Sequence, residues 1–208
     1  MAFENVDKQL EPIVEEIASN FAGKNKAREQ GLSASRDAIR LSANSIRAVH
    51  RGEFDKAAEL CAQAGNLLQE ARASLAEHPD IFHAGFIHDG QKEYAEAALT
   101  LALIAGQKLP DPAALGVERQ AYLNGLGEAV GELRRHLLDR LRAGDIARSE
   151  ACLEAMDEIY GALVTFDYPD AMTGGLRRTT DAARGILERT RGDLTVAAVQ
   201  KRLEDKIG

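Results

Sequence analysis

The chain predicts an all-α protein, an antiparallel bundle of about seven helices. Ala and Leu, both strong helix formers, dominate its composition, and there is no Trp. Apolar residues recur at intervals of three and four, the period of an amphipathic helix. No run of alternating β-branched residues suggests a strand. The 208 residues, 45% hydrophobic and 28% charged, suffice for one folded domain spanning 1–208 rather than for two.

The five prolines, Pro12, Pro79, Pro110, Pro112 and Pro169, read as helix boundaries, because a proline inside a helix removes a hydrogen bond. The first helix runs from near Asn5 to near Arg51, with a possible break at Gly23; its second half carries Ile39, Ser42, Ile46 and Val49 on one stripe, and Gly52 is its C-cap. The second helix starts near Phe54 and presents Ala57, Leu60, Ala64, Leu67, Leu68 and Leu75. Asp80 stands at the entrance of a third, reaching about Ala105. The segment 106–116, with two prolines, reads as a loop. A fourth helix spans about Glu118 to Arg142 and stops at Gly144. Asp145 caps a fifth, to about Thr165. The segment 166–175 is a second loop. A sixth helix covers about Leu176 to Thr190, ended by Gly192, and Asp193 caps a short terminal one.

A net charge of −7 disfavours a purely electrostatic binder of nucleic acid, so any such site must be a local basic patch. Cys61 and Cys152 form no CxxC pair and read as buried reduced thiols. The N-terminus lacks an apolar signal core, and the most apolar stretch, Ala95 to Ala105, carries Glu96 and is too short to span a bilayer. A cytoplasmic protein without membrane contact is expected. No phosphate-binding glycine loop, serine nucleophile elbow or histidine zinc motif is present.

Four segments carry a more specific signal. They are Leu32 to Ile39 with Ile46-Arg47-Ala48-Val49-His50-Arg51; Gln91-Lys92-Glu93-Tyr94-Ala95-Glu96-Ala97; Gly127-Glu128-Ala129-Val130-Gly131-Glu132-Leu133-Arg134-Arg135; and Phe166-Asp167-Tyr168-Pro169 with Leu176-Arg177-Arg178 and Asp181. In this order they resemble elements of the translin family, and of its TRAX branch in particular. The resemblance implies a seven-helix fold and assembly into a closed homo-oligomer, often an octamer. It also implies binding of single-stranded RNA, with single-stranded DNA a further candidate. For the TRAX branch it implies a carboxylate site for Mg²⁺-dependent RNA cleavage. Translin itself lacks these carboxylates as a set. The family motif usually has Asp where Glu128 stands.

Residue spacing supports such a site. Glu93 and Glu96 are three apart, and Glu128 and Glu132 four apart, so each pair shares a helix face. Gly127 and Gly131, with Ala95, Ala97, Ala98 and Ala102 on the third helix, suggest two small-residue faces that meet and gather the four carboxylates. Gathered carboxylates repel, and a divalent cation removes that cost. Glu93, Glu96 and Glu128 are therefore candidate ligands for Mg²⁺ or Mn²⁺, with Glu132 a fourth catalytic carboxylate. Taken singly, glutamates on helices are ordinary solvated groups.

Arg36, Arg40, Arg47 and Arg51 fall on one stripe of the first helix and are candidates for phosphate contact, as are His88 and Arg135. Arg134 and Arg140 also follow the acidic pair, Tyr94 reads as a core residue, and Arg177, Arg178 and Arg184 read as an ion-pair network facing Asp181. Two other functions compete with the nuclease: a non-catalytic translin-like oligomer that binds single-stranded RNA or DNA, and a helical scaffold with no nucleic-acid role.

Overall fold

The computed structural model describes residues 5–207 and is all-helical over them, with no strand. The helices are α1 (Val6–His50), α2 (Phe54–Ser74), α3 (Pro79–Phe82), α4 (Phe86–Ala105), α5 (Pro112–Leu115), α6 (Arg119–Arg142), α7 (Ile146–Leu163), α8 (Asp170–Thr173) and α9 (Leu176–Ile207). The six long ones form the bundle: α1 packs on α2 and α4, α4 on α6, and α6 on α7 and α9.

Small side chains set the first half. Ala38, Ala57, Ala64 and Ala95 are fully buried where α1, α2 and α4 meet. Their size brings backbones close enough for serine hydroxyls to reach across: Ser45 Oγ donates to the Ala57 carbonyl at 2.8 Å, and Ser35 Oγ to that of Phe86 at 2.6 Å. The second half is filled by larger residues: Leu133, Leu137, Met156, Leu163, Leu176 and Leu187 close the space between α6, α7 and α9.

Cap chemistry behaves as the sequence predicts at two places. Gly52 takes φ +75° after α1, and the Asp145 carboxylate accepts from the Arg148 amide at the start of α7. The start of α2 at Phe54 and the span of α6, ending before Gly144 at φ +77°, also fall where expected, whereas other boundaries move. The third helix is two, α3 and α4, because Gly85 adopts φ +102°, a conformation that ends one helix and re-aims the next. Both loops contain one short helix each, α5 and α8. Pro12 lies inside α1 instead of at its edge, and Gly23 does not interrupt that helix. Both positions are exposed, so water can satisfy the backbone carbonyl that Pro12 leaves free.

The expected sixth and terminal helices are one continuous α9. Gly192 costs an exposed helix only about 1 kcal/mol. Burial of Leu187, Thr190 and Leu194 on either side outweighs it. Asp193 does not cap: it accepts from Arg134 of α6 at 2.8 Å, and the same guanidinium donates to Thr190 Oγ1 at 2.8 Å.

Two glycine substitutions should therefore have opposite signs. Around Gly192 there is open space, so Gly192→Ala should raise Tm by roughly 2–4 °C, from about 1 kcal/mol of helix propensity. A β-carbon at Gly125 would lie 2.7 Å from the Lys92 carbonyl oxygen and 2.8 Å from the Glu96 amide nitrogen. Gly125→Ala must push α6 off α4 and should lower Tm, by calorimetry, well beyond the gain at Gly192.

Candidate metal centre

Helices α4 and α6 meet with backbone against backbone at Gly125. This is a correction to the glycines expected at the contact. Gly127 faces Thr179 of α9 and Leu163 of α7, and near Gly131 the closest atom belongs to Ile186. Gly125, two residues before Gly127 and so turned to another side of the helix, is the glycine on the α4 side of α6. From that contact the chain climbs to Glu128, and α4 climbs from Lys92 to Glu96.

Three of the four expected carboxylates converge. Glu93, Glu96 and Glu128 each offer an oxygen, and these atoms lie within 4.8 Å of one another. All three residues are half-buried. Glu132 lies one helical turn beyond Glu128 and turns to a different partner. Its Oε2 accepts from His50 Nε2 at 2.5 Å, with Arg135 Nη1 at 3.9 Å. Its charge still reaches the group, since it helps raise the pKa of Glu96.

The electrostatics follow from burial and spacing. Burial first, then the charges of Glu128, Glu93 and Glu132, push the Glu96 carboxyl up to about 8, against an opposing pull from Lys92. The hydrogen bond from His50 is the main reason that Glu132 sits below the usual carboxylate range. Lys92 Nζ donates to Glu128 Oε1 at 2.8 Å and lies 3.5 Å from Glu93 Oε1. A half-buried ammonium thus bridges α4 to α6 between two of the gathered carboxylates.

Sequence reasoning missed Lys92 and His50 as members of the site. Lys92 is four residues before Glu96 and so shares its face, a signal that was available. The side chain of His50 is only 4% exposed, and it reaches Glu132 from 82 residues away in sequence. Its Nδ1 is buried with no hydrogen-bond partner among the described residues.

The basic candidates divide. Arg36, Arg40, Arg47 and Arg51 are all exposed, on the side of α1 away from its packed face. Arg40 pairs with Asp37 at 2.9 Å, Arg47 donates to Asn44 at 2.7 Å, and Arg51 pairs with Glu53 at 2.7 Å. None of the four touches the carboxylates among the described residues. Arg135 is exposed beside Glu132. Arg134 is taken up by α9. His88 does not join the group: it lines a separate cleft of about 450 Å³ with Phe82, Gln91, Glu118, Gln120 and Gly174. Tyr94 packs against Gly65 of α2, where burial raises its hydroxyl pKa to about 12, so it is a core residue. Arg184 pairs with Glu188, at 3.1 Å.

No protein-family model matches the sequence. An uncharacterised protein of Methanocaldococcus jannaschii is 31% identical over 197 residues, covering 92% of this chain and 85% of the relative. Among solved structures, AfC3PO is 35% identical with a TM-score of 0.83, covering 90% of this chain and 97% of that one. A complex of AfC3PO with duplex RNA is 34% identical with a TM-score of 0.81 over the same shares. Apo-NeC3PO, at 20% identity and a TM-score of 0.80, covers 89% of this chain and 97% of its own, and shares the fold. These are structures of C3PO, the translin–TRAX assembly, and they agree with the four sequence segments and with the all-helical bundle. The chain belongs to the translin family and is TRAX-like.

Proposed function

We propose that this chain is a self-assembling RNA-binding protein and a Mg²⁺- or Mn²⁺-dependent endoribonuclease. The observation that carries the proposal is the convergence of Glu93, Glu96 and Glu128 within 4.8 Å at the junction of α4 and α6. The AfC3PO complex with duplex RNA supports the choice of RNA. The resemblance points to single strands, so both forms of substrate belong in the assay. An octamer in a cytoplasmic setting fits the family. No helix among the described residues is long and apolar enough to cross a membrane, and both cysteines are free thiols, as a reducing compartment would keep them.

The donor set fits a hard divalent cation. All three groups offer carboxylate oxygen, the ligand type that Mg²⁺ and Mn²⁺ take, and Glu128 reaches the others despite being longer than the Asp usual in the family. When bound, the ion would supply a Lewis acid for the phosphate and lower the pKa of a bound water. The chain's own groups prepare the site. Without a cation, Glu96 keeps a proton near neutral pH, because burial and three neighbouring carboxylates oppose its charge. Lys92 offsets part of the charge of Glu93 and Glu128, and its ammonium would be a contact for a substrate phosphate bound beside them. His50 orients Glu132 and keeps it ionised. Arg135, exposed beside Glu132, is a phosphate contact, and the arginine stripe of α1 is a second, outer surface for the strand.

One observation favours the non-catalytic alternative. Lys92 already bridges two of the three carboxylates, so the group is partly neutral without any metal.

The sign of the pH dependence follows from Glu96. Its folded pKa of about 8 lies above its ordinary value of 4.5, so its contribution to stability is full at low pH and is lost as pH rises through about 8. A cation competes with that proton and binds better as pH rises. At a hundredfold excess over Kd it should add about 2.7 kcal/mol, or roughly 5–10 °C in Tm. The rise measured by scanning calorimetry should be larger at about pH 8.5 than at about pH 6. Glu96→Gln should raise the metal-free Tm at the higher pH and abolish the response. Equal Tm with Mn²⁺ and with chelator at both values would remove the metal site.

Cleavage is tested on labelled single-stranded and duplex RNA with Mg²⁺, Mn²⁺ or chelator. Glu128→Ala should lose activity by on the order of 100-fold or more, the scale of losing one charge-stabilising group, while still binding RNA in a filter assay. Full activity in that variant would eliminate the site. Binding with no cleavage in the unmodified chain would leave the non-catalytic oligomer.

A further inference from the structure

The first five turns of α1 extend beyond the bundle, and every residue from 5 to 23 is exposed. By rise per residue this projecting part is about 28 Å long. Its surface is not uniformly polar. Val6, Leu10, Ile13, Val14, Ile17 and Phe21 are between 42% and 64% exposed, and at 100° per residue they fall within an arc of about 100°. Val6, Leu10, Ile13 and Ile17 are spaced four, three and four, the seam of a two-stranded coiled coil. The stripe lies on the side of α1 that further along carries the buried Gly31, Ser35, Ser42 and Ile46. The packed face of the helix therefore continues into solvent where α2 and α4 no longer cover it.

We propose that this stripe is covered by the same stripe of a second copy, with the two helices antiparallel and centred between Ile17 and Ala18. The inference rests on the reading of the chain as self-assembling and adds the surface and polarity of one contact. The charges argue for it. Residues 6–16 carry Asp7, Glu11, Glu15 and Glu16 against Lys8, whereas residues 24–28 carry Lys24, Lys26 and Arg28 and no acid. With the dyad at that centre, Asp7 faces Arg28, Glu11 faces Lys24, and Val14 faces Phe21. A parallel pair would stack acid on acid. A second exposed apolar stripe, Val196, Val199 and Leu203 of α9, has mixed charges around it, with Lys201 already on Asp205 at 2.8 Å, so it offers no such match. Val164, Phe166, Tyr168 and Met172, also exposed, lie on a loop and the short α8 and form no helical stripe. Lys24 holds Asp80 at 2.8 Å and Arg28 holds Glu29, both exposed pairs of the kind that exchange at little cost. Six half-exposed apolar side chains from each copy bury on the order of 1,000 Å² across the pair, the scale of a specific contact.

The test uses the full chain. Sedimentation should give a mass at least twofold lower for Ile13→Asp/Ile17→Asp than for the unmodified protein; these residues are exposed, so folding is not at stake. Asp7→Lys should weaken the pair, and adding Arg28→Glu should restore it. With a short bismaleimide, Ile17→Cys should give covalent dimers above the background of the native thiols, and Val6→Cys should not. Dimers from Val6→Cys alone would overturn the polarity. Linkage of Ile17→Cys to Val199→Cys, and not to itself, would make α9 the occupant and overturn the proposal. An unchanged multimeric mass with no Ile17→Cys dimer would overturn this contact while self-assembly stands. A monomeric unmodified chain would overturn both.

Discussion

The approach of α6 to α4 at Gly125 leaves no room for a side chain, because a β-carbon there would collide with the Lys92 carbonyl and the Glu96 amide. Backbones this close bring the side chains of that same turn of α4 and those one turn beyond Gly125 on α6 to the same point in space. Glu128 on α6 then meets Glu93 and Glu96 on α4 without any of them bending from its helix. The alanines around the contact, Ala95 and Ala129, are fully buried and keep the approach close over the next turn. The proximity of the carboxylates is thus a product of missing side-chain volume nearby.

Such a gathering must be offset electrostatically, and the structure does so in three ways. Lys92 places an ammonium between two of the carboxylates. Glu96 is held toward its protonated form by its burial and by the neighbouring carboxylates. Glu132, a turn away, leaves the group for His50. A cation would relieve the repulsion that remains, which is why the same residues that destabilise the metal-free protein at high pH would bind an ion there. The fold supports this by anchoring α6 on its far side, where Arg134 ties it to α9 through Thr190 and Asp193.

The projecting part of α1 obeys the same hydrophobic logic as the core. One stripe runs the length of the helix, covered by α2 and α4 in the bundle and uncovered before it. An apolar surface this long and narrow, with acidic and basic ends, is complementary to itself only when reversed. The contact it implies and the carboxylate group lie on different parts of the molecule and can be perturbed separately.

Much of the chain was legible from local pattern. Periods of three and four marked every long helix, Asp145 and Gly52 marked two of their ends, and the spacings Glu93–Glu96 and Glu128–Glu132 set which glutamates share a face. These properties belong to one helix at a time, so the sequence by itself determined them, and with them the family. The rotation and closeness of one helix against another depend on how all their side chains fill space together. Only the tertiary structure decided that Gly125, and not Gly127 or Gly131, would meet α4, that Lys92 would sit among the carboxylates, and that His50 would draw Glu132 aside. The continuity of α9 through Gly192 was settled in the same way, because the burial of Thr190 and Leu194 and the grip of Arg134 outweigh a local glycine that alone would end a helix.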